Sequence, residues 1–232
     1  MRGTDNTGKS IQLKVKNVKI ALSDTDNIYS EYNINFTNVT DNSGYGYDGN
    51  ANALSYSSNS PKNMRAAVFN GNTSYIEVPW IKQNLWTSNY TLSFWVNPDD
   101  NGRAIYFGDY GLTGGSLINF ERKDGGAFRY WHGGDPDKTV SGLNAAVGEW
   151  TMLSVTYTPG TMKFYKNGQL IETYSHTSTQ TKTSGKMYIG KDNRDGATAL
   201  AGKMSDFRLY GTTLTDEDIL NLYNNPCSFD NQ

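Results

Sequence analysis

Residues 162–171 read MKFYKNGQLI, and this stretch decides the fold class. The pair Asn167-Gly168 stands between two runs rich in apolar and β-branched or aromatic residues. An Asn-Gly pair suits a type I′ turn, because both central positions of that turn need a positive φ. The stretch therefore predicts a β-hairpin with strands Thr161–Lys166 and Gln169–Tyr174.

An earlier stretch, residues 90–96, reads YTLSFWV and predicts another strand. Side chains alternate along a strand, so Leu92, Phe94 and Val96 share one face, which we expect to lie in the core. Thr91 belongs to the opposite face. Truncation of Phe94 to Ala is expected to cost about 3–5 kcal/mol, and Thr91→Ala is expected to change little.

Short apolar-rich runs continue along the chain, separated by turn clusters such as residues 99–102 and 192–196. Short strands at this spacing, with Gly, Asn and Asp between them, indicate an all-β sandwich or barrel. Two alternating runs at 11–18 and 29–36 precede them. The further strands predicted are Ala66–Asn70, Tyr75–Pro79, Tyr90–Asn97, Arg103–Gly108, Ser116–Glu121, Ala127–Trp131, Trp150–Thr158, Lys186–Gly190 and Gly202–Tyr210.

One helix is predicted, near the C-terminus. Thr215 can cap it, and the acidic residues 216–218 suit the positive end of the helix dipole. Ile219, Leu222 and Tyr223 fall on one helical face.

The chain has no repeat and no linker, and its 232 residues suit one large all-β domain. We divide it into an N-terminal arm or extra strand (1–28), the sandwich (29–226) and a C-terminal tail (227–232).

Charge and composition exclude some classes of binding partner. The formal net charge is −2, and the basic residues are scattered, so no basic run points to nucleic acid. The chain contains no apolar run of about 18 residues, so membrane insertion is not expected. Cys227 is the only cysteine, which excludes an intrachain disulfide.

Ordered landmarks between about Phe36 and Pro226 resemble the laminin-G-like domains of the concanavalin A-like lectin/glucanase superfamily. The resemblance implies a two-sheet antiparallel jelly-roll sandwich (concanavalin A-like) with one short C-terminal helix. The style of the match is similar to domains of tailed-phage structural and receptor-binding proteins. The chain departs from the family pattern at Leu153, where a His is usual, and at Phe207, where a Glu is usual. The landmarks are DNSGYG (41–46), VFNG (68–71), YIEVP (75–79), TLSFWV (91–96), WTMLSVTY (150–157), FYKNG (164–168), YIG (188–190) and the closing segment 200–223.

A catalytic role is not expected. The glucanase signature Glu-x-Asp-x-x-Glu, which sets alternate carboxylates in the cleft, is absent, and each glutamate stands alone. His132 and His176 cannot form a multi-histidine zinc site with a nearby cysteine, and no Gly-x-Ser-x-Gly motif occurs.

The resemblance makes Ca²⁺ a candidate ion, because family members often hold one at the rim through loop oxygen atoms. The alternative is that the same Asp and Asn residues only form turns. The metal candidates are Asp41, Asp48, Asp192, Asn193 and Asp195.

Sugar binding needs an exposed aromatic ring beside polar side chains. The alternative for each Trp is packing in the core or between sheets. The candidate ligand-binding residues are Trp131, His132, Asp135 and Asp137, expected in one loop, with Tyr110, and then Trp80 and Trp86.

Together these features predict a non-catalytic carbohydrate- or surface-recognition module of a larger extracellular or virion protein. Its expected partner is a cell-surface glycan or a virion or surface protein, and a bacterial cell surface is the alternative location. A structural or decoration domain that makes protein–protein contacts without sugar is the first alternative function. A glycoside hydrolase is the second.

Overall fold

The computed structural model describes residues 2–4, 10–12, 32–34, 47–79, 89–108, 118–132, 138–176, 186–191 and 198–225. Within these ranges, most residues lie in strands, and none of the helices is long and apolar enough to cross a membrane. The elements are β1 (Arg2–Thr4), β2 (Ser10–Gln12), β3 (Tyr32–Ile34), β4 (Asn50–Asn52), β5 (Ser55–Ser57), a 3-10 turn (Pro61–Asn63), β6 (Ala66–Asn70), β7 (Tyr75–Pro79), β8 (Tyr90–Pro98), β9 (Ala104–Gly108), β10 (Ile118–Arg122), β11 (Phe128–His132), β12 (Lys138–Val140), β13 (Thr151–Thr158), β14 (Gly160–Lys166), β15 (Gln169–His176), β16 (Lys186–Ile189), β17 (Ala201–Tyr210) and α1 (Asp216–Asn224).

Two antiparallel sheets form a sandwich, and we call them the front sheet and the back sheet. The front sheet has the strand order β12-β11-β10-β9-β16-β7-β4. The back sheet has the order β15-β14-β13-β8-β17-β6-β5, and β3 also pairs with β17. This arrangement confirms the predicted all-β, two-sheet antiparallel jelly-roll sandwich with one short C-terminal helix. The division at residues 28 and 226 stays a prediction.

The local predictions hold closely. Asn167 and Gly168 have φ values of 51° and 79°, as the predicted hairpin turn between β14 and β15 requires. The predicted strands from β6 onward agree with the structure to within two residues at each end. The strands β4, β5 and β12 were missed, since each has only three residues and a largely polar sequence.

The main core lies between the two sheets. Phe94 is 1% exposed, and its ring centroid lies 5.6 Å from that of Tyr106 and 6.1 Å from that of Phe207. Leu92 and Val96 belong to the same cluster, so the predicted core face of β8 is confirmed. Burial of an aromatic or branched side chain of this size contributes about 1.5–3 kcal/mol.

A second apolar cluster covers the outer face of the back sheet. Trp95 stacks on Tyr223 of α1 with 5.4 Å between ring centroids. The helix begins as predicted, because the Thr215 side chain accepts from the Asp218 backbone and Asp218 bonds back to Thr215. The cluster consists of Met64, Trp95, Met152, Tyr165, Leu214, Ile219 and Leu222, with Trp150, Tyr210 and Tyr223 packed against it.

This second layer overturns the expectation for Thr91. The Thr91 side chain is fully buried, and its hydroxyl donates to the Thr212 carbonyl at 2.8 Å and accepts from the Leu214 amide at 2.9 Å. The structure therefore predicts a loss of stability for Thr91→Ala, in place of the small change expected from the sequence. Alternation assigns Thr91 to the outer face of β8, but it does not reveal that residues 211–215 return across that face.

Candidate functional site

The outer face of the front sheet carries a row of paired residues that we call the transverse row. Direct partners in an antiparallel sheet point to the same face. Residues beside the row, such as Tyr130, Phe120 and Met187, lie in the core, so the row itself faces outward. In order across the sheet, the row consists of Trp131 on β11, Asn119 on β10, Gly108 on β9, Tyr188 on β16 and Glu77 on β7.

One end of the row is built from tyrosines. Tyr75 and Tyr188 meet edge to face, with 5.9 Å between centroids and 66° between ring planes. Glu77 accepts a hydrogen bond from Lys186 Nζ at 2.7 Å and a long one from the Tyr188 hydroxyl at 3.5 Å. Burial, together with the negative charge of Glu77, raises the pKa of Tyr188. The phenol is therefore a neutral hydrogen-bonding group at ordinary pH.

The other end is formed by Trp131 and Asn119. Trp131 is partly exposed, whereas Asn119 is 5% exposed. In the described part of the chain, neither the Trp131 Nε1 atom nor the Asn119 Oδ1 atom has a hydrogen-bond partner, although both atoms are buried. The pair offers one donor, the indole N–H, and one acceptor, the amide oxygen.

Next to this end lies a buried carboxylate with two arginines. Glu121, whose side chain is 2% exposed, is bound by Arg103 Nη2 at 3.0 Å and by Arg129 Nε at 2.5 Å. Two guanidinium groups compensate the cost of burying one carboxylate. Glu121 is therefore held as an ion-pair partner.

The position of His132 differs from the one predicted from the sequence. Trp131 and His132 lie on β11 and not in a loop, and they point to opposite faces of the front sheet. His132 is 1% exposed, and its Nδ1 atom lies 2.7 Å from Nε2 of His176 in the core. The two residues therefore cannot line one surface. The alternation FRYWH across residues 128–132 contains this signal.

The other predicted site residues fall into two groups. Asp48 is described, and its side chain is exposed. Within the ranges that the structure covers, no three His, Cys, Asp or Glu side chains are grouped to hold a metal ion. Calcium binding stays a prediction. Tyr110, Asp135, Asp137, Asp41, Asp192, Asn193, Asp195, Trp80 and Trp86 lie outside the described residues.

A cleft lies on the back sheet beside the start of α1. Asp216 closes one side, where it accepts from Lys163 Nζ and from the Tyr165 hydroxyl, each at 2.8 Å. These hydrogen bonds lower the pKa of Asp216. The hydroxyls of Thr158 and Thr213 bond to each other at 2.8 Å, so their polar groups are already engaged. The cleft has a volume of about 430 Å³ and is lined by Thr156, Thr158, Thr161, Lys163, Thr213, Leu214, Thr215 and Asp216.

Several solved structures share this fold. The chain aligns with the receptor binding domain of botulinum neurotoxin C/D mosaic serotype at a TM-score of 0.64 and 15% identity, over 84% of this chain and 50% of that one. It aligns with domain 4 of AbnA, a GH43 extracellular arabinanase from Geobacillus stearothermophilus, in complex with arabinotriose. The TM-score is 0.61 and the identity 20%, over 83% of this chain and 96% of that one. A Trypanosoma rangeli sialidase in complex with the inhibitor DANA aligns at a TM-score of 0.63 and 15% identity, over 83% of this chain and 32% of that one.

At these identities the shared property is the fold. The chain spans about half the length of the toxin domain and about a third of the sialidase. No curated protein sequence matches it. The family model described as the concanavalin A-like lectin/glucanases superfamily matches residues 70–220, which is more than half of the chain, and the protein therefore belongs to that superfamily.

Proposed function

We propose that this protein is a non-catalytic carbohydrate-recognition module that binds glycan on the outer face of the front sheet. The observation that carries the proposal is the transverse row, which has one aromatic ring at the Trp131 end, a second at Tyr188 near the other end, and a polar residue beside each. Sugar C–H faces pack on aromatic rings, while sugar hydroxyls need donors and acceptors. Trp131 and Tyr188 supply rings, and Asn119 and Glu77 supply the polar atoms.

The middle of the row has no side chain at Gly108, although the residue itself is buried. A Cβ placed there would lie 3.4 Å from both Cγ of Asn119 and the Ile118 carbonyl oxygen. Trp131 and Tyr188 are separated by three strand spacings, roughly 14 Å. A ligand that touches both rings must therefore extend over the glycine.

The described carboxylates of this face do not suit hydrolysis. Glycoside hydrolases set two carboxyl groups about 5–9.5 Å apart. Glu77 on β7 and Glu121 on β10 are three strand spacings apart, roughly 14 Å or more. Glu121 is also bound by two arginines. These features favour a binding module over an enzyme.

Solved structures that share the fold support a proposal for the wider setting. One is a toxin receptor binding domain, and another belongs to an extracellular arabinanase and was solved with arabinotriose. By this analogy, we place the chain in a larger extracellular protein that contacts a cell-surface glycan. A virion protein or a bacterial surface protein fits this setting, and Ca²⁺ at a rim loop is part of the same proposal.

A glycan array, with and without Ca²⁺, tests the proposal. Trp131→Ala and Tyr188→Ala should each weaken binding, because each removes one aromatic surface. Tyr56→Ala is the matched control, since Tyr56 is an exposed tyrosine at the edge of the back sheet. Gly108→Leu should also weaken binding by filling the middle of the row. Equal binding by all variants, or no binding by the wild type, would refute the proposal.

A second candidate function is a structural domain that contacts other proteins. In the described part of the chain, β15 ends the back sheet, and it exposes Leu170 and Ile171 at 44% and 39%. Exposed apolar residues on an edge strand favour contact with another chain. Light scattering of the purified protein tests this alternative. A stable oligomer that is dispersed by Leu170→Lys, together with a blank glycan array, would support it.

A further inference from the structure

Two buried polar atoms without hydrogen-bond partners among the described residues lie side by side on the transverse row. Asn119 Oδ1 and Trp131 Nε1 are both buried, and neither has a hydrogen-bond partner among the described residues. The two residues are direct partners on β10 and β11, so their Cβ atoms lie about 4.5–5.5 Å apart. A buried polar group without a partner destabilises the folded state, because it has given up its hydrogen bonds to water. Two such groups side by side can both be satisfied by a single ligand group.

The chemistry of the two atoms restricts what can satisfy them. The indole N–H only donates, and the amide oxygen only accepts. A single group that bonds to both must accept from Trp131 and donate to Asn119. A hydroxyl can do this, whereas a carboxylate only accepts and an ammonium only donates. Water can also bridge the pair, and a ligand hydroxyl that replaces it keeps both bonds.

Asn119 can present its oxygen without a change in the backbone. The terminal torsion of an asparagine side chain is broad and roughly two-fold, so the amide turns easily. Trp131 is already partly exposed. Because Trp131 Nε1 is buried in this structure, a ligand reaches both atoms only when the Asn119 amide turns and the indole ring shifts.

The geometry of the indole restricts the size of the ligand. The N–H lies in the plane of the ring, and hydrogen bonds are close to linear, so the bound hydroxyl lies beyond the ring edge. A stacked sugar lies instead over the ring face. The two places suit two adjacent sugar rings.

We infer that Trp131 Nε1 and Asn119 Oδ1 together bind one uncharged hydroxyl of a sugar ring next to the ring that stacks on Trp131. This inference rests on the proposed glycan-binding function. It specifies the ligand as a disaccharide or longer oligosaccharide that carries a free hydroxyl at this position.

The test begins with an array of neutral and acidic mono-, di- and trisaccharides of hexoses and pentoses. The tightest glycan is then compared with its singly deoxygenated derivatives by titration calorimetry. For the wild type, we expect binding of disaccharides or longer but not of monosaccharides. One deoxygenated derivative should bind about tenfold more weakly than its parent, because the pair loses its partner.

Two variants separate the hydrogen bonds from the stacking. Asn119→Leu removes the acceptor, and Trp131→Phe removes the N–H but keeps an aromatic surface. Each should bind the parent glycan about tenfold more weakly and should no longer distinguish it from that one derivative. The melting temperature of Asn119→Leu should not fall, since the variant removes a buried oxygen without a partner. A purely structural role for Asn119 predicts a fall.

The outcomes distinguish this inference from the proposed function. If no glycan binds the wild type, both are overturned. Another outcome is that glycans bind and Trp131→Ala weakens their binding, while monosaccharides bind as tightly as disaccharides. In that case only the inference is overturned. The same conclusion follows if both variants keep the full preference for the parent glycan.

Discussion

The imidazole rings of His132 and His176 stack in the core with 4.6 Å between centroids, and Nδ1 of His132 lies 2.7 Å from Nε2 of His176. The other ring nitrogen of His176 lies 3.1 Å from the Tyr130 hydroxyl. His132 and Tyr130 belong to the front sheet and His176 to the back sheet. The network therefore ties β11, which carries Trp131, to the edge strand of the other sheet.

Removal of His176 tests the contribution of this link. His176→Ala deletes the hydrogen bonds to His132 and Tyr130 and leaves a cavity in the core. We expect the free energy of unfolding to fall by about 2–4 kcal/mol. Urea denaturation measures the change. Lys166→Ala, which removes an exposed contact with Asn144, is the control and should change stability by less than about 0.5 kcal/mol. Equal effects would show that the histidine pair adds no stability.

Thr91 tests the covered outer face of the back sheet. Thr91→Ala leaves the Leu214 amide and the Thr212 carbonyl without the Thr91 hydroxyl, so we expect a loss of about 1–3 kcal/mol. Thr91→Ser keeps the hydroxyl and should retain most of the stability. Phe94→Ala sets the scale for a core truncation, at about 3–5 kcal/mol. If Thr91→Ala and Thr91→Ser are equally stable, the hydroxyl is not what holds residues 212–214.

The burial of Tyr106 leads us to expect a loss of stability at alkaline pH. Burial raises the pKa of Tyr106 from 10.0 to about 12. Below pH 10.0, the phenol is protonated in both folded and unfolded chains, so this contribution is fully present. As the pH rises towards about 12, only the unfolded chain ionises, and about 2–3 kcal/mol of stability is lost. Denaturation at a series of pH values measures this loss. Tyr106→Phe should show a smaller loss across the same range, and an unchanged pH profile would contradict the prediction.

Gly190 tests a close approach of the backbone to the core. Its φ is +84°, and a Cβ there would clash with the ring of Phe69. We expect Gly190→Ala to lower the free energy of unfolding by about 2–5 kcal/mol, from left-handed strain and overpacking together. Gly148→Ala is the matched control, because Gly148 has a φ of +78° and open space around its Cβ position. The control should lose only about 1–2 kcal/mol. Similar losses at both positions would show that Phe69 moves aside.

Much of the fold is predictable because its elements depend on neighbours in the chain. The turn at Asn167-Gly168 and the helix cap at Thr215 each follow from a few adjacent residues. The core face of β8 follows from alternation alone. Alternation also places His132 inward, but the sequence reading grouped it with Trp131 by proximity in the chain.

The candidate site was much less predictable. Trp131 was identified as an aromatic candidate, but Asn119, Tyr188 and Glu77 were not. Alternation shows that each points away from the core, and it does not show which strands are neighbours. The same limit applies to Thr91, whose cover comes from a segment more than a hundred residues later.

The amino-acid sequence by itself determined the strands, the hairpin, the capped helix and the membership of an all-β sandwich family, because these depend on local backbone preferences and on the two-residue period of a strand. Only the tertiary structure decided that Trp131, Asn119, Gly108, Tyr188 and Glu77 form one row. Strand β16 inserts between β7 and β9, and this pairing joins residues that are far apart in the chain. Hydrogen bonding between distant strands is a property of the assembled sheet, and no local pattern encodes it.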